Sequence, residues 1–182
     1  MSVIKGIKMK LLKLFIAAVI SGSMAASALA ADGTINFNGR ITKATCTVST
    51  STVDVNLPEV GATALAGKGK TGGDTPFSIV LTGCGISTGD SANVQVKFGG
   101  VKDSNDTSLL KINALGGGAE GVGIGIYEND GSTLINMAAL SKSTPVVAGV
   151  TTLKFKAKYV ATGAPVKPGT VKASTDFTLD YE

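Results

Sequence analysis

Two cysteines and thirteen acidic residues are the side chains with which this chain could do chemistry, and it contains no histidine. Without histidine, neither a Ser-His-Asp nor a Cys-His catalytic arrangement can form. The acids lie scattered in turn-rich segments, as Asp103, Asp106, Glu128 and Asp130 do, where Asp side chains commonly hydrogen-bond their own backbone. We therefore predict a protein that is not an enzyme, with no cofactor, no catalytic residue and no small-molecule substrate.

Residues 1–30 have the three-part form of a secretory signal peptide. Its positive start consists of Lys5, Lys8, Lys10 and Lys13. An apolar run follows at residues 14–20, and residues 28–30 form a small-x-small cleavage site. The alternative is a retained membrane anchor, but residues 21–23 (Ser-Gly-Ser) interrupt the apolar run well short of the ~20 residues that a span requires. Translation could start at Met1 or at Met9, because residues 9–30 form a complete signal by themselves.

The positive charge of the chain belongs to this leader. Four of the 17 basic residues lie in it, and the remaining chain has as many basic as acidic residues and a single arginine. Binding nucleic acid requires clustered Lys and Arg, so we predict no nucleic-acid partner. The chain that follows the leader has the length of one ordinary domain.

Cys46 and Cys84 are the two cysteines of the chain. An exported protein meets an oxidising environment, which favours a disulfide between them. A metal site is the weaker interpretation, because two thiolates without histidine lack the remaining ligands of a usual zinc tetrahedron.

A strict alternation of apolar or small and polar residues follows the leader. One face consists of Gly33, Ile35, Phe37, Gly39 and Ile41, and the other of Thr34, Asn36, Asn38, Arg40 and Thr42. Because side chains on a strand alternate between faces, this pattern predicts a strand whose single apolar row needs a groove. From the pattern alone, the groove belongs either to the chain's own domain or to another molecule.

The same period of two returns along the rest of the chain. It predicts strands within residues 53–57, 77–81, 94–98, 122–126, 153–159 and 177–181. Segments rich in Gly, Pro, Asn and Asp predict loops at residues 61–74, 99–106, 116–121 and 161–170. About eight short strands with turn-rich connections predict an all-β immunoglobulin-like sandwich.

Two of these candidate strands have unusual second faces. Gly123 and Gly125 leave one face of residues 122–126 nearly bare, which predicts a bend or the close approach of another backbone. Lys154, Lys156 and Lys158 predict a solvated face, of a kind that edge strands also use to discourage pairing.

Several short motifs occur in a fixed order along the chain. They are residues 34–41 followed by Cys46, residues 81–84, residues 155–163, Gly169 as the fourteenth residue from the end, and Tyr181 as the penultimate one. In this order, and behind a signal peptide, they resemble the major pilin subunit of type 1-like fimbriae, assembled by the chaperone–usher pathway of Gram-negative bacteria.

The resemblance implies an incomplete immunoglobulin-like β-sandwich that lacks its final strand and carries an N-terminal donor-strand extension. A periplasmic pilus chaperone would fill the open groove first, and the extension of an identical or related subunit would replace it at the outer-membrane usher. The donor face would be Gly33, Ile35, Phe37, Gly39 and Ile41, and the C-terminal strand that pairs with chaperone and donor would include Gly169, Phe177, Leu179 and Tyr181. The implied product is an extracellular fimbrium, a pilus rod that supports cell adhesion.

These expectations divide the chain into a signal peptide at residues 1–30, a donor-strand extension at residues 31–45 and a pilin domain at residues 46–182. The brief stretch before Ile35, with Gly33 where a larger apolar side chain would anchor better, also fits a minor shaft or adaptor subunit of the same fibre. The alternative from another class is a self-contained exported β-sandwich that binds a receptor.

Overall fold

The computed structural model describes residues 45–49, 51–86, 91–113 and 117–182, which all belong to one compact unit, Arg40–Glu182. The signal peptide and the donor face predicted from the sequence lie outside the described residues. Within the described part of the chain, no helix has the length and apolar character needed to cross a membrane.

Eight strands and one short 3-10 helix make up the described residues. The strands are β1 (Thr47–Val48), β2 (Thr71–Cys84), β3 (Asn93–Phe98), β4 (Val122–Glu128), β5 (Leu134–Ile135), β6 (Thr144–Pro145), β7 (Gly149–Ala161) and β8 (Phe177–Tyr181). The 3-10 helix spans Ala62–Leu65. All strand pairs are antiparallel.

The strands form two sheets, one with the order β1-β2-β7-β4-β5 and one with the order β6-β3-β8. Alternation places one row of each strand in the core, as in β7, where Leu153, Phe155 and Ala157 are buried. The rings of Phe77, Phe98 and Phe155 join the sheets, with centroids 5.2 Å apart for Phe98 and Phe155 and 5.6 Å apart for Phe77 and Phe155. The predicted all-β immunoglobulin-like fold class is confirmed.

Three details differ from the sequence-based expectations. Residues 53–57 alternate in burial but belong to no strand. Strand β2 begins at Thr71, inside the loop predicted at residues 61–74, and the 3-10 helix also lies within that loop. The lysine-bearing strand β7 lies between β2 and β4 and is therefore a central strand. A strand's position in a sheet depends on distant pairing partners, which local alternation does not specify.

The glycines of β4 have the close neighbours that their bare face predicted. A Cβ built on Gly123 would lie 3.0 Å from the Leu109 Cβ and 3.2 Å from the Leu110 carbonyl oxygen. That backbone runs directly against β4, because Leu110 and Ile124 exchange two backbone hydrogen bonds of 2.9 and 3.0 Å. The missing side chain thus makes room for another segment of backbone.

A disulfide joins Cys46 to Cys84, as predicted. It ties the residue before β1 to the last residue of β2, across a sequence separation of 38. Closing a loop of this length stabilises the fold by roughly 4 kcal/mol in the chain-entropy model. The bond fixes the point at which the preceding chain joins the domain.

Candidate functional site

A groove of about 1130 Å³ lies between the two sheets. Its volume greatly exceeds the ~30 Å³ that one water occupies, so it is not a small packing defect. The floor is apolar and comes from both sheets: Phe77, Ile79, Phe98, Leu110, Ile124, Ile126, Ala157 and Tyr159. Two walls, residues 51–57 and residues 171–177, border this floor.

The first wall, residues 51–57, pairs with no strand of the described residues. Val53, Val55 and Leu57 are half-buried while Asp54 and Asn56 are exposed, so one row of side chains faces the protein. No backbone hydrogen bond joins this wall to another described residue. A strand laid beside this wall would give its N–H and C=O groups ladder partners.

The second wall, residues 171–177, is attached to the protein through a few contacts. The Gly99 N–H donates to the Asp176 carbonyl at 2.8 Å, and the Asn113 N–H donates to the Lys172 carbonyl at 2.7 Å. The wall continues into β8, which is the last strand in the order β6-β3-β8. Both walls therefore border the same apolar floor.

The predicted C-terminal strand forms, but one of its expected members lies elsewhere. Phe177, Leu179 and Tyr181 are half-buried on β8, where they alternate with exposed Thr178 and Asp180. Phe177 also lines the groove. Gly169 lies outside β8, before the second wall.

Gly169 packs directly against backbone. A Cβ at this position would lie 2.4 Å from the Gly118 carbonyl carbon and 2.5 Å from the Ala119 nitrogen. The neighbouring Thr170 carbonyl accepts the Ala119 N–H at 2.9 Å, and Glu120 and Lys167 form an antiparallel bridge. Gly169 therefore allows residues 117–120 to hold the segment that leads into the second wall.

Tyr181 links the end of the chain to the beginning of the domain. Its hydroxyl oxygen accepts the Cys46 backbone N–H at 3.2 Å. Because Cys46 is also in the disulfide with Cys84, a hydrogen bond and a covalent bond hold the same residue. The described chain therefore enters the domain at a doubly fixed point.

Charged side chains gather on the opposite face of the larger sheet, away from the groove lining. The Lys158 ammonium lies 2.8 Å from an Asp74 carboxylate oxygen, donates to the Gly131 carbonyl at 2.7 Å and lies 5.0 Å from the Tyr127 ring centroid. The hydrogen bond from Lys158 lowers the pKa of Asp74, with a further contribution from Lys156. Burial raises the pKa of the Tyr127 phenol.

Two further groups have shifted acid–base behaviour. The backbone N–H groups of Thr133 and Ser132 lower the pKa of Asp130, which also pairs with Lys142. Burial raises the pKa of Tyr159 on the groove floor, with a smaller contribution from the charge of Glu59. Among the described residues, no cluster of three or more Cys, Asp or Glu side chains is placed to hold a metal ion.

Sequence reasoning missed the walls of the groove. Residues 53–57 looked like an ordinary strand, and residues 171–176 gave no strand signal before Phe177. The available signal was alternation without an assignable partner, as in Val171, Ala173, Thr175 and Phe177. Only the placement of both segments beside the same apolar floor identifies them as walls.

The fold and the groove define an immunoglobulin-like β-sandwich with an apolar groove between its two sheets. The chain belongs to the fimbrial protein family, whose model matches residues 35–182. It is 40% identical over 167 residues to long polar fimbria protein A of Salmonella typhimurium, covering 91% of this chain and 92% of that relative.

Solved structures are similar as well. An antigen and type I fimbria protein of Burkholderia pseudomallei is 30% identical with a TM-score of 0.58, over 76% of this chain and 93% of that one. The P pilus rod subunit PapA shares the fold with a TM-score of 0.62 at 20% identity, over 75% of this chain and 99% of that one. The family relationship makes this chain a structural fimbrial subunit.

Proposed function

We propose that this chain is a pilus-rod subunit that polymerises by donor-strand exchange. The observation that carries the proposal is the groove of about 1130 Å³. Its first wall, residues 51–57, pairs with no described strand, and its second wall leads into β8, which among the described strands pairs with β3 alone. A strand laid between residues 51–57 and residues 171–177 would pair with backbone on both sides and place alternate side chains on the apolar floor. This is the general mode of recognition by strand addition.

The donor in this proposal is the N-terminal extension of the next subunit, within residues 31–45. At ~3.3 Å per residue this segment spans about 50 Å, enough to follow a sandwich from end to end. Burial of Ile35, Phe37 and Ile41 would contribute about 1.5–3 kcal/mol each, in addition to new ladder hydrogen bonds. Gly33 and Gly39 would lie on the same face, with Gly39 over a shallow part of the groove.

The geometry of such a contact favours a fibre. Donor and groove are different surfaces of one molecule, so the contact is head-to-tail and does not close. The fibre would be an extracellular fimbrium, as the names of the relatives imply. Before assembly, a periplasmic chaperone would occupy the groove and an outer-membrane usher would direct the exchange. The chain would carry no catalytic activity.

Deletion of residues 31–42 tests the donor assignment. We expect the truncated subunit to bind the chaperone and accept a donor but never to act as donor, so it would be confined to one end of a fibre. The measurement is incorporation into fibres in cells that also make the native subunit. Incorporation along the whole fibre would overturn the assignment.

A single substitution at Gly39 tests one position of the donor face, in addition to the deletion. We expect Gly39→Leu to slow exchange strongly, because the side chain overfills the shallow part of the groove, whereas Asn38→Leu on the opposite row should exchange at nearly the native rate. A native fibre yield from Gly39→Leu would contradict the role of Gly39. A stable native monomer that refolds without chaperone or peptide would instead support the self-contained receptor-binding module.

A further inference from the structure

One corner of the larger sheet exposes apolar side chains. Thr47 of β1, Thr82 of β2 and Val150 of β7 are aligned in neighbouring strands, and Val147 lies in the turn before β7. Val150 is 55% exposed and Val147 is 53% exposed. We call these four residues the β1–β7 corner.

Three residues of the corner, Thr47, Thr82 and Val150, lie on the outer face of the larger sheet. The adjacent aligned row contains Leu81 and Thr151, which are 0% and 3% exposed and therefore face the core. Side chains alternate along each strand, so Thr82 and Val150 point away from the core. Val150 is thus no part of the interior, and Val147 is exposed in the connection between β6 and β7. Neither valine lines the groove.

The described chain next to the corner carries no charged side chain. Residues 45–49, 79–86 and 143–153 include or flank the corner, and none of them is Asp, Glu, Lys or Arg. The centre of a protein interface is depleted in charged residues. The composition fits a contact with another protein surface.

The position of the corner indicates the partner. The extension joins the domain at Thr45 and Cys46, and Thr47 follows within about 7 Å of chain. The disulfide to Cys84 and the hydrogen bond to Tyr181 hold this entry point in place. Whatever protein holds the extension is therefore tethered beside the corner.

We infer that the β1–β7 corner contacts the next copy of this chain, the copy whose groove receives the extension. The inference rests on the proposed function. Tethering gives the two surfaces a high effective concentration, so a small apolar contact is enough to favour docking. The corner would set the orientation between successive subunits, while the extension provides the durable link.

Two assays on the chaperone-bound full subunit test this contact. The first measures displacement of the chaperone by a synthetic peptide of residues 31–45, which requires only the groove. The second measures self-polymerisation as a ladder of multimers in detergent without heating. The variant is Val147→Lys with Val150→Lys, and the matched control is Val101→Lys, at a valine that is 68% exposed and precedes Lys102.

We expect the double lysine variant to match the native rate in the peptide assay and to polymerise slower by about fivefold or more. The Val101→Lys control should match the native chain in both assays. Native polymerisation of the double variant would overturn the inference, as would an equal loss in the control. Failure of the native subunit in the peptide assay would overturn the proposed function and the inference with it.

A variant of similar shape covers the case in which the lysines prevent folding. Val147→Thr with Val150→Thr keeps the branched shape and removes apolar surface, so it should behave normally with the peptide and still polymerise more slowly. Polymerisation at the native rate would overturn the contact. The contact would also be overturned if the threonine variant, but not the Val101→Lys control, no longer bound the chaperone. That result would assign the corner to the chaperone.

Discussion

At the scale of single residues, the hydroxyl of Tyr181 connects β8 to Cys46. The Cys46 N–H donates to this hydroxyl at 3.2 Å, in a part-buried setting. We expect Tyr181→Phe to lower the free energy of unfolding by about 0.5–1.5 kcal/mol, because the ring packing remains and one hydrogen bond is lost. Urea unfolding of the purified chain in complex with a peptide of residues 31–45 measures the change, and the same complex is used for the other unfolding measurements below. An unaltered urea midpoint would contradict this prediction, because it would show that water replaces the Tyr181 hydroxyl without loss of stability.

Asp74 gives a prediction with a definite sign. Lys158 lowers the pKa of Asp74 in the folded chain, so the folded state favours the carboxylate. This contribution is present above the ordinary Asp pKa of about 3.9 and is lost as the pH falls through the lower folded value.

Asp74→Asn should therefore lower the free energy of unfolding at pH 7. It should also make the free energy of unfolding fall less steeply as the pH is lowered. The effect should be small, because the carboxylate is largely solvated. Unfolding midpoints of the native and Asn chains between pH 7 and pH 2 measure it. Parallel curves for the two chains would contradict the pairing.

At the scale of elements, the second wall of the groove depends on the packing of the segment before it. Gly169 touches the backbone of residues 117–119. We expect Gly169→Ala to destabilise the fold by about 1–3 kcal/mol, because the added methyl group forces these two backbones apart.

Gly85→Ala is the matched control, since a Cβ there meets no atom of the described residues within 4 Å. It should change stability by less than about 0.5 kcal/mol. Thermal unfolding of both variants decides the comparison. If both variants lost the same stability, the contact of Gly169 with residues 117–119 would not be the cause of the destabilisation.

At the scale of the whole molecule, an apolar groove lies between two sheets. In the proposed assembly this groove accepts a strand from the next subunit. A fibre built this way is joined by buried apolar side chains and a ladder of hydrogen bonds, so its links should dissociate very slowly.

The fibre should therefore run as a ladder of multimers in detergent without boiling and collapse to one band after heating. A chain that lacks residues 31–42 should form no fibre when it is the only subunit present. A single band at the monomer position without heating would contradict polymerisation by strand exchange.

The sequence by itself determined which segments alternate, which row of each strand faces the core, and that two cysteines in an exported chain would pair. Val94, Val96 and Phe98 illustrate this, since all three are buried on β3 as their spacing predicts. Local periodicity specifies faces because the side-chain period of a strand is set by its own backbone. The donor face at residues 33–41 stays a prediction of this local kind.

Only the tertiary structure decided which strands are central, where the groove lies and what packs against Gly169. Residues 53–57 alternate as well as any strand of the fold, yet they form a groove wall because no described strand pairs with them. Lys158 meets Asp74 and Tyr127 from distant parts of the chain. These features depend on the register between segments far apart in sequence, and alternation along one segment carries no information about its partner.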